Sequence, residues 1–421
     1  MKLTYKACIH TDEATAEILK DVLYSATKLY NGLLWHLREE FKRTGKSQLG
    51  APYLNQILQT LPRKKAMYAD CAQQIFREIQ WAYKSFFALR EAGKTDRNAP
   101  GFRKKTLLSP IRYPRVNTPK AGAKVFRRKG KTHLHISLGT QREDGIRFLQ
   151  FRIDLDPRTP LDSIQNLQIT YDALSDRFGA RLVCEVEGSN QAPGTGSLAL
   201  DLGETWLAAG VFDDGEEFLL SGRHLKSIRR YWKKVRTHVK PPSEDDPHRS
   251  RRYAQISRKE SRQIRHLLHI ASTHVIERCV QKGVGTIYVG ELTDIREDLD
   301  YGKRMNQRLH AWPWRIFTDI LTYKGERVGI SVVPVSERDT SRTCPKCGIV
   351  KKSNRMARGV YRCSECGFEH HADLVGARNI LTQNVSAVSS SGSLAEPVVL
   401  RRSSHTVHEP ATSRTVHREA A

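Results

Sequence analysis

Apolar and polar positions alternate through LTYKACIHT (3–11), a period of two that predicts a strand. From Asp12 the period lengthens. Ala16, Leu19, Val22, Leu23, Ala26, Leu29 and Leu33 return at three- and four-residue steps, with Tyr30 and Trp35 beside them, which predicts an amphipathic helix. A second helical stretch runs from about Tyr68 to Arg90, with Phe76, Ile79, Tyr83, Phe86 and Phe87 on one side. NAPGFRKK (98–105) ends it. Period two then returns in KVFRR (124–128), HLHISLG (133–139), IRFLQFRI (146–153), NLQITYD (166–172) and ARLVCEVE (180–187). Gly, Asn and Asp separate these predicted strands. The first 190 residues therefore read as a β-rich module with a helical insertion at about 12–100.

QAPGTGS (191–197) reads as a linker. Beyond it, LALDLG, WLAAGVF and EEFLL are predicted strands, the last two joined by a DDG turn (213–215). A basic helical region follows, interrupted by PPSEDDP (241–247). Its second half carries an apolar stripe at Ile264, Leu267, Leu268, Ala271, Val275 and Cys279. TIYVGEL is a fourth strand and GISVVPV a fifth, with a helix from about Trp314 to Arg327 between them. A last helix spans about Ala372 to Leu381. From 384 to 421 the chain is rich in Ser, Thr, His and Arg without periodicity, and reads as disordered.

Charge narrows the partners. The 421 residues carry a formal net charge of +25, and the usual partner of such an excess is a polyanion, above all nucleic acid. Mean hydropathy is −0.54, and no apolar run approaches the roughly 18 residues a membrane span needs. MKLTYKACIHTDE has no apolar signal core, so the expected address is cytoplasmic. Of the eight cysteines, Cys8, Cys71, Cys184 and Cys279 are scattered singly and read as reduced thiols.

The other four form C-x2-C-x15-C-x2-C: Cys344, Cys347, Cys363 and Cys366. Two tight knuckles at this spacing offer four thiolates to one tetrahedral ion, and zinc is the expected one. Gly348 and Gly367 follow the second cysteine of each pair, where a knuckle needs a permissive backbone. A closed four-cysteine site leaves no open position, so its role is structural.

Three acids stand apart. Asp201 lies within LALDLG among apolar neighbours, Glu291 ends the apolar run IYVGE, and Asp373 opens the last helix. An acid in a buried strand is costly unless it is paired or bound to a metal. Read singly, Asp201 caps a turn, Glu291 pairs with one of many arginines and Asp373 is an ordinary helix-start residue. Read together, within the order β-β-β-α-β-α-β-α, they resemble the layout of a ribonuclease H-like fold. There, clustered carboxylates hold two Mg²⁺ ions about 3.5–4 Å apart for phosphodiester hydrolysis.

The chain resembles the TnpB family of RNA-guided endonucleases encoded by insertion sequences, a family ancestral to type V CRISPR effectors. The resemblance rests on LALDLG, YVGEL, TSRTCPKCG…YRCSECG and HADLVGARNI, and on LYNGLLWHLREEF, AYKSFF and PGFRKK in the first half. It implies an α+β protein of several domains. Residues 1–190 would form a β-barrel, wedge-like module with its helical insertion. Residues 198–382 would form an RNase H-like (RuvC) domain with a zinc ribbon inserted at about 340–368. It implies two Mg²⁺ ions on Asp201, Glu291 and Asp373, guide RNA and target double-stranded DNA as partners, and one chain per RNA. The family's last motif has Asn and Ala where this chain has Val375 and Gly376. A compact type V effector and a non-cleaving, RNA-guided regulator are the alternatives.

Basic runs supply candidate nucleic-acid contacts: Arg103, Lys104 and Lys105; Arg127 and Arg128; Arg229, Arg230, Lys233 and Lys234. A single charge run is usually a solvated face; their sum favours a polyanion. Gln73 corresponds, by the resemblance, to a position that touches the motif beside the target.

Overall fold

The computed structural model describes residues 1–94, 96–239, 251–291, 312–357 and 359–385. The PPSEDDP segment lies outside the described residues, as do residues 386–421 of the tail expected to be disordered from 384; Asn384 instead ends the last helix. The chain divides into two compact units, Met1–Val186 and Glu187–Ala421.

In the first unit, β1 (Lys2–His10) leads into α1 (Glu13–Thr44), α2 (Ala51–Thr60) and α3 (Ala69–Glu91). Six strands follow: β2 (Ile111–Tyr113), β3 (Ala123–Arg128), β4 (Lys131–Ser137), β5 (Phe148–Asp154), β6 (Ile164–Asp172) and β7 (Arg177–Glu185). The sheet order is β2-β6-β7-β1-β5-β4-β3, and every neighbouring pair is antiparallel. Alternation works as the sequence implies: in β5, Leu149, Phe151 and Ile153 are buried and their neighbours exposed. The sheet curls, so that its two edges exchange hydrogen bonds just beyond β2. The Asn117 amide donates to the Ala123 carbonyl (3.1 Å), and the Asn117 side chain both donates to and accepts from the Val125 backbone. The expected helical insertion is present. It also contains α2, whose apolar signal is only Leu54, Ile57 and Leu58, too short a run to register as a period. Asp12 caps α1 by accepting from the Thr15 amide (2.8 Å). Gly45, in the left-handed region, closes it.

In the second unit, β8 (Gly196–Asp201), β9 (Trp206–Phe212) and β10 (Glu217–Ser221) precede α4 (Arg223–Thr237) and α5 (Arg251–Gln281). Then come β11 (Val284–Glu291), α6 (Trp314–Arg327), β12 (Ser331–Ser336) and the short strands β13 (Arg355–Ala357), β14 (Val360–Arg362) and β15 (Glu369–His371). The last element is α7 (Ala372–Asn384). The main sheet runs β10-β9-β8-β11-β12. β8, β9 and β10 pair antiparallel; β8, β11 and β12 pair parallel. β8, β9 and β10 are buried on both faces, which explains their unbroken apolar runs. Leu198, Leu200, Ile287 and Val289 pack with Leu268 and Val275 of α5 and Phe317 of α6. Ala199, Ala209, Val211 and Leu219 pack with Leu374, Ala377 and Ile380 of α7. Strand parity therefore sends Asp201, two residues after Ala199, to the α7 face.

The segment read as a linker is part of this unit. The Gly196 amide donates to the Gly283 carbonyl (3.0 Å). A Cβ at Gly194 would collide with the same carbonyl. Gly194 is required by that close backbone approach, not by flexibility.

Candidate metal centres

The sulfur site is compact. The Sγ atoms of Cys344, Cys347, Cys363 and Cys366 all lie within 4.8 Å of one another. Cys344 and Cys366 are 3.6 Å apart, and Cys347 and Cys363 are 3.5 Å apart. A tetrahedral zinc with bonds of about 2.3 Å would set its sulfurs about 3.8 Å apart, so the four thiols fit that ion. The knuckles are built by backbone. The Gly348 amide donates to the Cys344 carbonyl (2.9 Å) and the Gly367 amide to the Cys363 carbonyl (3.1 Å). Both glycines have positive φ, 75° and 69°, as the sequence implies. Buried Tyr361 of β14 stiffens the ribbon: its hydroxyl accepts from the Asn354 side chain (3.2 Å) and donates to the Arg342 carbonyl (3.3 Å).

Acidic side chains also stand near one another where the ends of β8, β11 and β12 meet the start of α7, spaced more widely than the four sulfurs. Asp201 ends β8 beneath α7, which passes so close that a Cβ at Gly376 would strike its Oδ2. The small residue at 376 is thus what lets helix and carboxylate coexist. Burial pushes the Asp201 carboxyl well above its usual range. Glu337 and Asp373 push it further, and the Arg355 guanidinium opposes them. Asp373 sits in the first turn of α7, and its Oδ1 accepts from Arg355 Nη2 of β13 (2.9 Å). Glu291 stands exposed at the last position of β11, opposite Ser336 in register. The structure therefore brings Asp201 and Asp373 together and leaves Glu291 at the adjacent strand end.

Two residues of the cluster were not singled out in the sequence: Glu337 and Arg355. Glu337 directly follows β12. Burial pushes its carboxyl up to about 7. Its Oε1 is sealed from solvent and has no hydrogen-bond partner among the described residues. It lies over Gly290, where a Cβ would collide with that oxygen. No sequence signal marked it, because VSERDTSR reads as a polar loop. Carboxylate oxygens, one of them sealed and orphaned, are the donor chemistry that a hard divalent cation such as Mg²⁺ prefers.

The start of α7 is anchored from several sides. Glu217 of β10 is buried; its Oε1 accepts from Arg378 Nη2 (2.8 Å) and its Oε2 lies 3.3 Å from His370 Nε2. Burial raises the Glu217 carboxyl, but His370 and then Arg378 outweigh burial and hold it below the usual range. Trp206 of β9 donates its indole N–H to His371 (3.1 Å). Asn379 donates to the carbonyls of Thr340 (2.6 Å) and Thr343 (2.8 Å), tying α7 to the turn between Glu337 and the first knuckle.

The basic candidates separate. Arg103 is half-buried and engaged: it pairs with Glu78 (2.7 Å) and stacks 3.8 Å over the Tyr30 ring. Arg127 donates to the Pro157 and Thr159 carbonyls (2.5 and 3.1 Å). Arg229 is half-buried, and burial lowers its pKa. Lys104, Lys105, Arg128, Arg230, Lys233 and Lys234 are exposed, and Gln73 is half-buried on α3. Exposed Tyr231 stands among the last three of these on α4.

Two family models match this chain: "Probable transposase" over residues 181–296 and "Cas12f1-like, TNB domain" over residues 314–380. The TnpB-like protein ORF457 of Acidianus two-tailed virus is 25% identical over 399 residues, which cover 86% of this chain and 82% of that one. The CRISPR-associated endodeoxyribonuclease Cas12f1 of Sulfoacidibacillus thermotolerans is 32% identical over 120 residues, 28% of this chain and 27% of that one. The chain thus spans about a quarter of that nuclease and most of ORF457. TnpB-like protein L79 of Acanthamoeba polyphaga mimivirus is 40% identical over 77 residues, 18% of this chain and 14% of that one. In fold, the chain is similar to Cas12f1 in a cryo-EM structure of its complex with sgRNA and target DNA. The TM-score is 0.61 at 14% identity, covering 88% of this chain and 83% of that one. A structure of the mini-RNA-guided endonuclease CRISPR-Cas_phi3 matches with a TM-score of 0.56 at 12% identity, covering 93% and 94%. The chain is thus similar to TnpB-like proteins and to Cas12f1.

Proposed function

We propose that the chain is an RNA-guided DNA endonuclease that hydrolyses phosphodiester bonds with Mg²⁺ held by Asp201, Glu291 and Asp373. The observation that supports this reading is that Asp201 at the end of β8 and Asp373 in the first turn of α7 lie near enough for Asp373, with Glu337, to raise the Asp201 carboxyl. Glu291 stands at the end of β11, the strand between β8 and β12. The strand order β10-β9-β8-β11-β12, with its mixed pairing, supports a ribonuclease H-like (RuvC) assignment for 198–382. The curled sheet of the first unit supports a barrel-like module that holds RNA and duplex. The relatives' names, a Cas12f1 endodeoxyribonuclease and TnpB-like proteins, support the substrate class.

Mg²⁺ held by Asp201, Glu291 and Asp373 would supply Lewis-acid activation of a water and charge stabilisation at the leaving oxygen of the phosphodiester. Asp201 and Asp373 supply carboxylate ligands from a rigid strand end and a rigid helix start, which fixes their separation. Arg355 brings a guanidinium to the cluster, a donor whose fork suits a phosphate. One zinc on Cys344, Cys347, Cys363 and Cys366 would hold the ribbon, which carries Arg355 and precedes Asp373. Sequence choice is left to pairing with the guide, and the exposed basic side chains grip phosphates.

The test uses purified protein with the RNA that copurifies with it, sequenced to define the guide. Incubated with a plasmid that matches the guide, the complex is expected to cut in Mg²⁺ and to stop when Mg²⁺ is chelated. Tight binding to the matched plasmid without cutting would replace this reading with that of a non-cleaving regulator.

A further inference from the structure

We propose that Glu337 is a further carboxylate ligand of the divalent-cation site on Asp201 and Asp373, entering it from the turn after β12. The inference rests on the reading of that cluster as the catalytic cation site.

Geometry carries it. β12 pairs parallel with β11, so that Ser336 lies opposite Glu291 and Glu337 is the next residue. Its carboxylate does not turn to solvent. It folds back over the Cα of Gly290, into the space a side chain there would fill. Parity puts Gly290 on the α7 face, like Tyr288, which packs against the α7 cluster. Across the sheet, Val289 is in register with Leu200, so Gly290 and Asp201 are next along their paired strands. The glycine is thus the gap through which the Glu337 and Asp201 carboxylates approach each other.

A carboxylate kept in such a place for packing alone would have a donor. Glu337 Oε1 is sealed and has none among the described residues. The nearby cation, Arg355, is spent on Asp373. The adjacent Arg338 side chain is 90% exposed and pairs with Asp339. Asp201 likewise accepts no hydrogen bond from any described residue. A sealed, unpartnered Glu337 oxygen near the Asp201 carboxylate is expensive, and a hard cation between the two acids would remove the cost. The position is also rigid. The Thr340 amide (3.2 Å) and hydroxyl (2.9 Å) donate to the Glu337 carbonyl. Asn379 of α7 in turn holds the Thr340 carbonyl. The helix that supplies Asp373 therefore also fixes the turn that supplies Glu337.

The test is Mn²⁺ titration of the full-length chain by calorimetry, for the wild type and for Glu337→Gln, Gly290→Ala and Asp201→Asn, with folding checked by circular dichroism. Glu337→Gln keeps shape and removes charge. Gly290→Ala keeps the charge and fills its place. Both are expected to weaken the tightest Mn²⁺ site by roughly tenfold or more. Cleavage by Glu337→Gln is expected to fall at limiting Mn²⁺ and recover as Mn²⁺ is raised. Wild-type Mn²⁺ affinity in Glu337→Gln, with binding lost in Asp201→Asn, would overturn the role of Glu337 and leave the nuclease reading standing. No loss in Asp201→Asn, or no saturable Mn²⁺ binding by the wild type, would overturn both.

Discussion

Asp201 shows how a single residue can be both a cost and a tool. Its carboxyl is raised by burial first, then by Glu337 and Asp373. A group whose folded pKa exceeds its unfolded one supports the fold while protonated and withdraws that support as pH rises through the folded pKa. For Asp201 and Glu337 the withdrawal begins above their ordinary values, 3.8 and 4.5. For Glu337 it continues to about 7 and then levels. Metal-free protein is therefore expected to lose stability from mildly acidic to neutral pH. Asp201→Asn, uncharged throughout, should lose less and be more stable at pH 8 by about 1–3 kcal/mol, the usual cost of an unsatisfied buried polar group. Denaturant midpoints at pH 5 and pH 8 measure this; an equal pH response in the two proteins would contradict it. The sequence marked Asp201 through its conflict with apolar neighbours. It could not mark Glu337, whose neighbours are polar and whose burial arises only when Gly290, far away in the chain, leaves room for it.

At the scale of elements, α7 gathers the site, and its anchors are side chains rather than periodicity. Glu217 is the clearest case. Held below the usual carboxylate range by His370 and Arg378, it adds stability above its ordinary pKa of 4.5 and loses it as pH falls through its folded value. Glu217→Gln breaks a buried ion pair and should destabilise the second unit by about 3 kcal/mol at neutral pH. It should also raise amide exchange at the start of α7. Unchanged exchange there would show that α7 is anchored without it. The ribbon is the other anchor. Metal analysis should find one zinc per chain. Chelation or Cys344→Ser should loosen β13 to β15, release Arg355 from Asp373 and reduce cleavage without removing any carboxylate. Full protection of these strands after zinc removal would contradict the structural role. Periodicity gave the long elements, α1, α3 and α6, because each buries a stripe. It missed α2 and β2, which are too short to display a period, and the ribbon strands, which are set by cysteine geometry instead.

At the scale of the whole molecule, charge is the dominant fact. The net charge of +25 implied a polyanion, but charge runs alone did not say which residues face it. Arg103 and Arg127 are spent on Glu78 and on backbone carbonyls, so substituting them should harm the fold of the first unit more than it harms affinity. Arg230, Lys233 and Lys234 lie exposed on α4. Replacing all three by Glu should weaken RNA binding and make its salt dependence shallower, by roughly one unit of slope for each phosphate no longer neutralised. An unchanged slope would exclude this face. Of all measurements, one addresses the central claim most directly: cleavage of guide-matched plasmid by Asp201→Ala beside the wild type, each loaded with the same RNA. The account predicts equal RNA binding, cutting by the wild type in Mg²⁺ and none by Asp201→Ala; cutting by the variant at the wild-type rate would contradict it.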